Sequence, residues 1–223
     1  MHKSALLNGS RFFQTYVQHL DDPLVLDLGS QDVFGSLRSV LPANARYIGV
    51  DMAPGPGVDV VVPDAYVLPF ATGSVDVVVS SSCFEHAEFF WLSFLEILRV
   101  LSPRGLVYLN IPSNGAFHRY PVDCWRFYPD SGRALARWGQ RNGFAALLLE
   151  SYVSDQYQDR WNDFVCVILR DSASLPLYPA RILPTISDYS NGLCHPDLER
   201  FLNPQELSED QRRLETELAA RGQ

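Results

Sequence analysis

Two short apolar runs, each ending in an acidic residue beside a glycine, most strongly constrain the fold of this chain. They are Val25-Leu26-Asp27-Leu28-Gly29-Ser30 and, further along, Ile48-Gly49-Val50-Asp51. Continuous hydrophobic side chains are typical of parallel strands that are buried on both faces. Gly29 allows a sharp turn and a close approach of the backbone to a ligand, because it has no Cβ. The pattern predicts an α/β fold with a nucleoside crevice, in which Asp51 accepts hydrogen bonds from ribose hydroxyls.

The glycine spacing argues against a dinucleotide as the ligand. Dinucleotide sites use a G-x-G-x-x-G turn, whose middle glycine makes room for a pyrophosphate. Here Gly29 and Gly35 enclose five other residues, and Asp32, near the start of a helix predicted over 32–42, would repel phosphates. A nucleoside that carries a positive charge and no phosphate, such as S-adenosylmethionine, fits the pattern better.

The composition narrows the class of protein. The chain has 223 residues, of which 47% are hydrophobic and 20% are charged, as expected for one globular α/β domain with modest additions. Its net charge of −8 argues against nucleic acid as a partner. No run is long enough for a membrane span, and the start does not resemble a signal peptide. The four cysteines form no C-x-x-C pair, which predicts reduced thiols in a cytoplasmic protein.

Further periodic segments complete the predicted domain over 1–170. A helix over 4–20 is expected to pack on the sheet. Other helices are predicted over 89–101 and 131–142, and other strands over 58–62, 74–80, 106–111, 145–152 and 163–170. From Asp171 the chain becomes rich in proline and then charged. We interpret 171–223, with a helix over 206–221, as an extension (a partner-packing arm or a mobile end) and not as an independent domain.

Other polar residues follow the predicted strands at the edge where ligands of open α/β sheets bind. Asp64 could accept a hydrogen bond from an adenine amino group or cap a short helix, and the residue alone favours neither. The loop that begins at Ser81 continues to Glu85-His86 after the strand over 74–80. These positions lie level with Asp51 in the predicted sheet, which favours the ligand role.

Together these motifs resemble class I S-adenosylmethionine-dependent methyltransferases, of the type often labelled methyltransferase 11. The resemblance covers about residues 20–170 and also rests on Leu98–Gly105. It implies a Rossmann-like, seven-stranded, mostly parallel sheet with one antiparallel strand and helices on both faces. It further implies that the Gly29 loop contacts the methionine part of the cofactor, Asp51 the ribose and Asp64 the adenine. The predicted cofactor-binding residues are Asp27, Gly29, Ser30, Asp51, Met52, Asp64, Ala65 and Ser81.

The family pattern is not matched throughout. Ser30-Gln31-Asp32 replaces the usual Cys-Gly-x-Gly, and Arg104-Gly105 replaces a Gly-Gly turn. Some relatives hold a metal through Glu-x-x-Glu-His, but Ser82 stands at the first position here. The sequence therefore predicts no metal at this motif.

A stretch rich in aromatic and charged residues, 117–130, follows the strand over 106–111. Aromatic faces with charged edges suit a polar ring compound. The stretch resembles a subgroup of these methyltransferases, many of which are associated with surface-glycan or secondary-metabolite pathways. The alternative is that its aromatic side chains belong to the core, with Arg126 paired to an acid. The predicted substrate-binding residues are Arg119, Tyr120, Trp125, Arg126 and Trp161.

Methyl transfer to a hydroxyl requires a base within hydrogen-bond reach of the acceptor. His118 is the first candidate and His86 the second, with Asp123 as an orienting or alternative carboxylate. His86 could instead cap a helix or line the cofactor. The sequence thus predicts a methyltransferase acting on a small polar acceptor, preferably a hydroxyl of a sugar or glycosylated metabolite. The alternatives are a non-catalytic cofactor-binding module and, disfavoured by the missing glycines, a nicotinamide-dependent oxidoreductase. The sequence leaves open whether the protein forms a homodimer.

Overall fold

The computed structural model describes residues 2–64 and 66–221, which form one sheet with helices on both faces. Its α-helices are α1 (Lys3–Phe12), α2 (Phe90–Val100), α3 (Asp130–Arg141) and α4 (Glu209–Arg221). Its strands are β1 (Leu24–Leu28), β2 (Arg46–Asp51), β3 (Val60–Val61), β4 (Val75–Ser81), β5 (Leu101–Pro112), β6 (Leu147–Ser154), β7 (Asp163–Leu169), β8 (Tyr189–Cys194) and β9 (Asp197–Leu202). The predicted α/β class is confirmed.

The described residues form a sheet of nine strands, in the order β3-β2-β1-β4-β5-β7-β6-β8-β9, and not of seven. Strands β1 to β5 are parallel, and β7 runs antiparallel to both β5 and β6. The two additional strands are a hairpin from the extension, and β8 pairs with β6. Half of the hairpin residues are polar and β9 is mostly exposed, so the hairpin lacks the hydrophobic runs from which the inner strands were predicted.

On one face of the sheet lies the amino-terminal helix. Its α-helical part ends at Phe12 and continues as a wider, π-helical turn over Phe13–Val17. Phe12 stacks on Tyr108 of β5, with ring centroids 4.5 Å apart, and both side chains are fully buried. The prediction that this segment packs on the sheet is confirmed.

The helix predicted over 32–42 is wrong. Only a short 3₁₀ turn, Leu37–Val40, follows β1. Leu37 packs so closely against α1 that a Cβ on Gly9 would lie 2.3 Å from its side chain. Since α1 already covers this face of the sheet, no full helix is needed there, and the residues before Leu37 form an irregular loop.

Helices α2 and α3 cover the opposite face. Two polar residues of α2, Glu96 and Arg99, lie on the side of the helix that contacts the segment preceding β4. Glu96 accepts a hydrogen bond from the Leu68 amide at 2.7 Å, while Arg99 donates to the carbonyls of Leu68 and Phe70. Glu96 and Arg99 therefore hold in place the segment before β4, which has no regular secondary structure.

A buried carboxylate joins the extension to the rest of the fold. Glu150 of β6 accepts hydrogen bonds from the Tyr16 hydroxyl at 2.6 Å and from the amides of Ile182 and Leu183 at 2.8 and 2.9 Å. Further on, Glu209 and Asp210 at the start of α4 contact Asn162, Gln156 and Asn114. The extension thus reaches the edge of the sheet where the strands deliver polar residues.

All four cysteines are free thiols, as predicted. Among the described residues, no helix is both long enough and apolar enough to cross a membrane.

Candidate active site

The turn after β1 is fixed by its neighbours. Gly29 has φ +85°, and the amides of Gly29 and Ser30 donate to the Val50 carbonyl of β2 at 2.9 and 3.1 Å. A Cβ on Gly29 would lie 2.6 Å from the Cβ of Cys83, in the loop after β4. Both the conformation and the packing therefore require glycine, and the turn places backbone between the ends of β1, β2 and β4.

Asp51 lies at the carboxyl end of β2, at the position predicted for the ribose acid. Its carboxylate accepts hydrogen bonds from the amides of Gln31 at 3.1 Å and Met52 at 2.7 Å. A carboxylate has about four acceptor sites, so these contacts fix its orientation and leave capacity for ribose hydroxyls. Met52 itself is 55% exposed.

Asp27 lies beneath the turn. It is 2% exposed and accepts a short hydrogen bond from the Tyr47 hydroxyl. Burial raises the pKa of Asp27 to about 7, against the lowering effect of the Tyr47 hydrogen bond. The protonated form is therefore favoured relative to that of an exposed aspartate.

Asp64 is exposed, and its carboxylate accepts a hydrogen bond from the Tyr66 amide at 2.8 Å. This contact closes a local turn, and the structure describes no helix between Tyr66 and β4 for Asp64 to cap. Ala65 lies outside the described residues.

Three serine hydroxyls line the crevice without a partner. The Oγ atoms of Ser30, Ser81 and Ser82 are buried and make no hydrogen bond among the described residues. Buried polar atoms almost always have a partner, so these atoms suit a ligand that brings donors and acceptors, as an amino acid moiety does. The residues present therefore fit S-adenosylmethionine. Ser82 was not predicted as a cofactor residue; the signal was its position in the loop after β4.

The loop over 115–128 is organised by Asp123. Arg126 donates to both of its carboxylate oxygens, at 2.6 and 2.9 Å, and the His118 amide donates at 2.8 Å. The Arg126 hydrogen bonds hold the pKa of Asp123 well below its usual range. Asp123 therefore orients the loop and is a poor base, while Arg126 is committed to it, as the alternative interpretation expected.

The two predicted catalytic histidines lie side by side. Their ring centroids are 5.0 Å apart, with the planes nearly perpendicular. His86 Nδ1 lies 2.5 Å from the Val122 carbonyl, and His118 Nδ1 lies 3.0 Å from the Ala116 carbonyl. Carbonyls accept only, so each Nδ1 carries the proton and each Nε2 presents a lone pair. Burial lowers the pKa of His86, which keeps it neutral at physiological pH.

Glu85, which was not predicted as a site residue, lies against His86. Its side chain is fully buried, and neither carboxylate oxygen has a hydrogen-bond partner among the described residues. Its Oε1 lies 3.6 Å from His86 Nε2. Burial raises the pKa of Glu85 to about 8. The position of Glu85 directly before His86 could have indicated a role in the site. The burial of Glu85 could not be predicted from the sequence.

Of the predicted acceptor residues, Trp161 is closest to the histidines. Its ring lies 5.2 Å from that of His118 and stacks at 5.0 Å on His2. Arg119 and Tyr120 are exposed on the same loop as His118. The Trp125 indole instead donates to the Ala87 carbonyl at 3.0 Å and packs against Phe90 of α2.

Two further buried polar residues were not predicted from the sequence as part of the site. Asn110 of β5 and Asp163 of β7 are buried, and each has one side-chain atom without a partner among the described residues, Asn110 Nδ2 and Asp163 Oδ1. His2 lies 3.6 Å from Asp163. A polar residue inside each of two hydrophobic strands was the available signal.

The fold and crevice define a class of protein, an α/β nucleoside-binding protein with paired histidines beside the ligand turn. Residues 26–109 match the family model described as a methyltransferase domain. An uncharacterized methyltransferase of Mycobacterium marinum is 34% identical over 117 residues, which are 47% of this chain and 45% of that protein. The chain thus spans about half the length of the curated relatives it matches. These matches agree with the predicted methyltransferase class over residues 26–109, and the activity and cofactor form part of the function proposed below.

Solved structures support the fold. The chain resembles a Burkholderia thailandensis 1,6-didemethyltoxoflavin N1-methyltransferase, with TM-score 0.56, 15% identity and coverage of 75% of this chain and 79% of the other. It also resembles the [4+2]-cyclase SpnF, with TM-score 0.55, 14% identity and coverage of 74% and 81%. Because one of these two is named a cyclase, the fold alone does not define a reaction.

Proposed function

We propose that the chain transfers a methyl group from S-adenosylmethionine to a hydroxyl of a small polar acceptor, of the sugar or glycosylated-metabolite class. The observation that carries this proposal is the pair of histidines with free Nε2 atoms, beside the crevice formed by the Gly29 turn and the loop after β4.

When bound, the cofactor would supply a methyl group attached to a positively charged sulfur. The acceptor oxygen attacks the methyl carbon in line with this sulfur, which is the leaving group. The protein must align the acceptor and take its proton. In our proposal Nε2 of His118 accepts the hydroxyl proton as the oxygen–carbon bond forms and the carbon–sulfur bond breaks. Asp123 holds His118 through its backbone amide.

The surroundings of His118 support a sugar-like acceptor. The Trp161 ring lies 5.2 Å from that of His118, and Tyr120, 62% exposed on the His118 loop, offers an aromatic face to solvent. Arg119 is exposed and adds hydrogen-bond donors. Such aromatic faces with polar edges suit a ring that has an apolar face and hydroxyl edges.

Calorimetric titration with S-adenosylmethionine, S-adenosylhomocysteine and NADH tests cofactor use first. We expect binding of both sulfur nucleosides and none of NADH. A panel of sugars and glycosides is then assayed for methylation with wild type, His118→Ala and the control His19→Ala. Loss of transfer in His118→Ala with retained cofactor binding supports the base role. Full transfer in that variant would remove His118 from the mechanism.

A further inference from the structure

Three potential ligand groups meet at the histidine pair. Glu85, His86 and His118 each offer one ligand atom, and these atoms all lie within 4.8 Å of one another. Glu85 and His86 come from the turn after β4, whereas His118 comes from the loop after β5. The sequence predicted no metal at Glu85-His86 because Ser82 replaces the first acid, and it could not indicate that the second loop brings His118 to the same place.

The atoms that converge there are all acceptors. The Nδ1–H groups of His86 and His118 are used by backbone carbonyls, so each Nε2 has a lone pair. Both oxygens of Glu85 are buried, and no donor among the described residues reaches them. A cation placed among these atoms would interact with all three at once, in place of the proton that a buried carboxyl tends to keep.

The neighbouring charges do not supply that cation. The positive charge nearest to the cluster, Arg126, is held by both oxygens of Asp123. Asp163 adds a further negative charge that acts on Glu85. The local field is therefore negative, as expected for a site that attracts a metal ion.

We propose that Glu85, His86 and His118 bind a divalent transition-metal ion of the Zn²⁺ class. Two imidazoles and one carboxylate suit borderline ions, whereas Mg²⁺ and Ca²⁺ prefer oxygen ligands. Metal–ligand bonds of about 2.1 Å place ligand atoms about 3–3.5 Å apart, so the side chains must close by about 1 Å. The His118 side chain is 31% exposed and has room to turn.

The ion uses the same nitrogen lone pair that the proposed transfer uses as a base. Provided that the proposed function is correct, a bound ion and an acceptor proton compete for His118, and ion binding inhibits transfer. The ion binding itself requires neither cofactor nor acceptor.

The test uses the full chain, stripped with chelator and free of any tag. Zn²⁺ is titrated by calorimetry and Co²⁺ by visible absorption, in the absence of cofactor and acceptor. We expect a single bound ion and a tetrahedral or five-coordinate Co²⁺ spectrum. Glu85→Gln and His118→Ala should each weaken binding roughly 100-fold. His19→Ala and Cys124→Ser, which change a histidine and a thiol outside the cluster, should leave it unchanged.

Thermal melts establish that each variant is folded. Should Glu85→Gln fail to fold, His118→Ala and His118→Gln carry the comparison, since His118 lies on a partly exposed loop. Absence of stoichiometric binding to folded wild type, or equal binding by the His118 variants, would overturn the proposal. A protein that methylates its acceptor but binds no ion would contradict only this inference and leave the proposed function in place.

Discussion

At the residue scale, Asp51 is the residue predicted to contribute most to cofactor affinity. Its carboxylate is oriented by the amides of Gln31 and Met52 and faces the crevice beside the Gly29 turn. Asp51→Ala should weaken S-adenosylmethionine binding by about 1–3 kcal/mol, the cost of a lost hydrogen bond to a charged group. Calorimetry measures this, with the exposed Asp22→Ala as control. Unchanged affinity in Asp51→Ala would contradict the ribose assignment.

Asp27 should make stability depend on pH. Because burial raises its folded pKa to about 7, the folded state favours the proton, and its stability falls as pH rises from about 4 to about 7. Asp27→Asn is neutral at every pH and avoids this loss. We expect its melting temperature to equal that of wild type near pH 4 and to exceed it by roughly 4 °C or more at pH 8.

The measurement is a series of thermal melts without cofactor between pH 4 and pH 8. Asp22→Asn changes an exposed carboxylate and should show no such trend. A difference between Asp27→Asn and wild type that does not vary with pH would show that Asp27 titrates normally.

The residues whose position at the crevice could be predicted from the sequence are those that depend on the local backbone. Gly29 needs its conformation, and Asp51 follows directly from the strand before it. Glu85 could not be identified in this way, because its importance lies in burial beneath a loop that is distant in sequence. The pairing of Arg126 with Asp123 was only one of two alternatives, since spacing alone does not distinguish an ion pair from a substrate contact.

At the scale of elements, a close packing contact fixes the start of the loop after β5, in addition to the hydrogen bonds of Asp123. Gly115 has φ +101°, and a Cβ there would lie 2.0 Å from the Trp161 ring. Gly143 has a similar φ of +87°, but a Cβ there would meet nothing within 4 Å. Comparing an alanine substitution at each of the two glycines therefore distinguishes the cost of backbone strain from the cost of steric contact.

Gly143→Ala should cost about 1 kcal/mol through strain alone. Gly115→Ala should cost at least about 2 kcal/mol, because Trp161 must also move. Urea unfolding measures both values. Equal costs for the two variants would show that Trp161 yields freely and that its position beside His118 is not fixed.

Most inner elements followed from hydrophobic pattern, and the failures have a common cause. Strands β1, β2, β4, β5 and β7 are continuous apolar runs and were predicted. The helix expected over 32–42 is absent because α1, from a distant part of the sequence, covers the same face. The hairpin of β8 and β9 was missed because its polar residues interrupt any hydrophobic run, and β9, at the sheet edge, is mostly exposed.

At the scale of the whole molecule, Glu150 connects three parts of the chain. It joins Tyr16 of the amino-terminal segment and the amides of Ile182 and Leu183 in the extension to β6. Glu150→Ala leaves these buried donors unpaired and should cost about 3–5 kcal/mol. Urea unfolding measures the loss, and limited proteolysis should show earlier cleavage within 171–221.

Glu199→Ala provides the matched control, since the Glu199 side chain is 83% exposed. It should change stability by no more than about 0.5 kcal/mol. If Glu150→Ala behaved like this control, the extension would be held by its strand pairing alone.

The stacking of His2 on Trp161 has a practical consequence for anyone who produces this protein. A peptide fused ahead of residue 2 would emerge next to Trp161 and His118, where the acceptor is proposed to bind. A histidine tag there would bring extra imidazoles to the cluster whose metal binding is to be measured. The far end of α4 lies about 18 Å along its axis from Glu209, so a purification handle belongs at the carboxyl end.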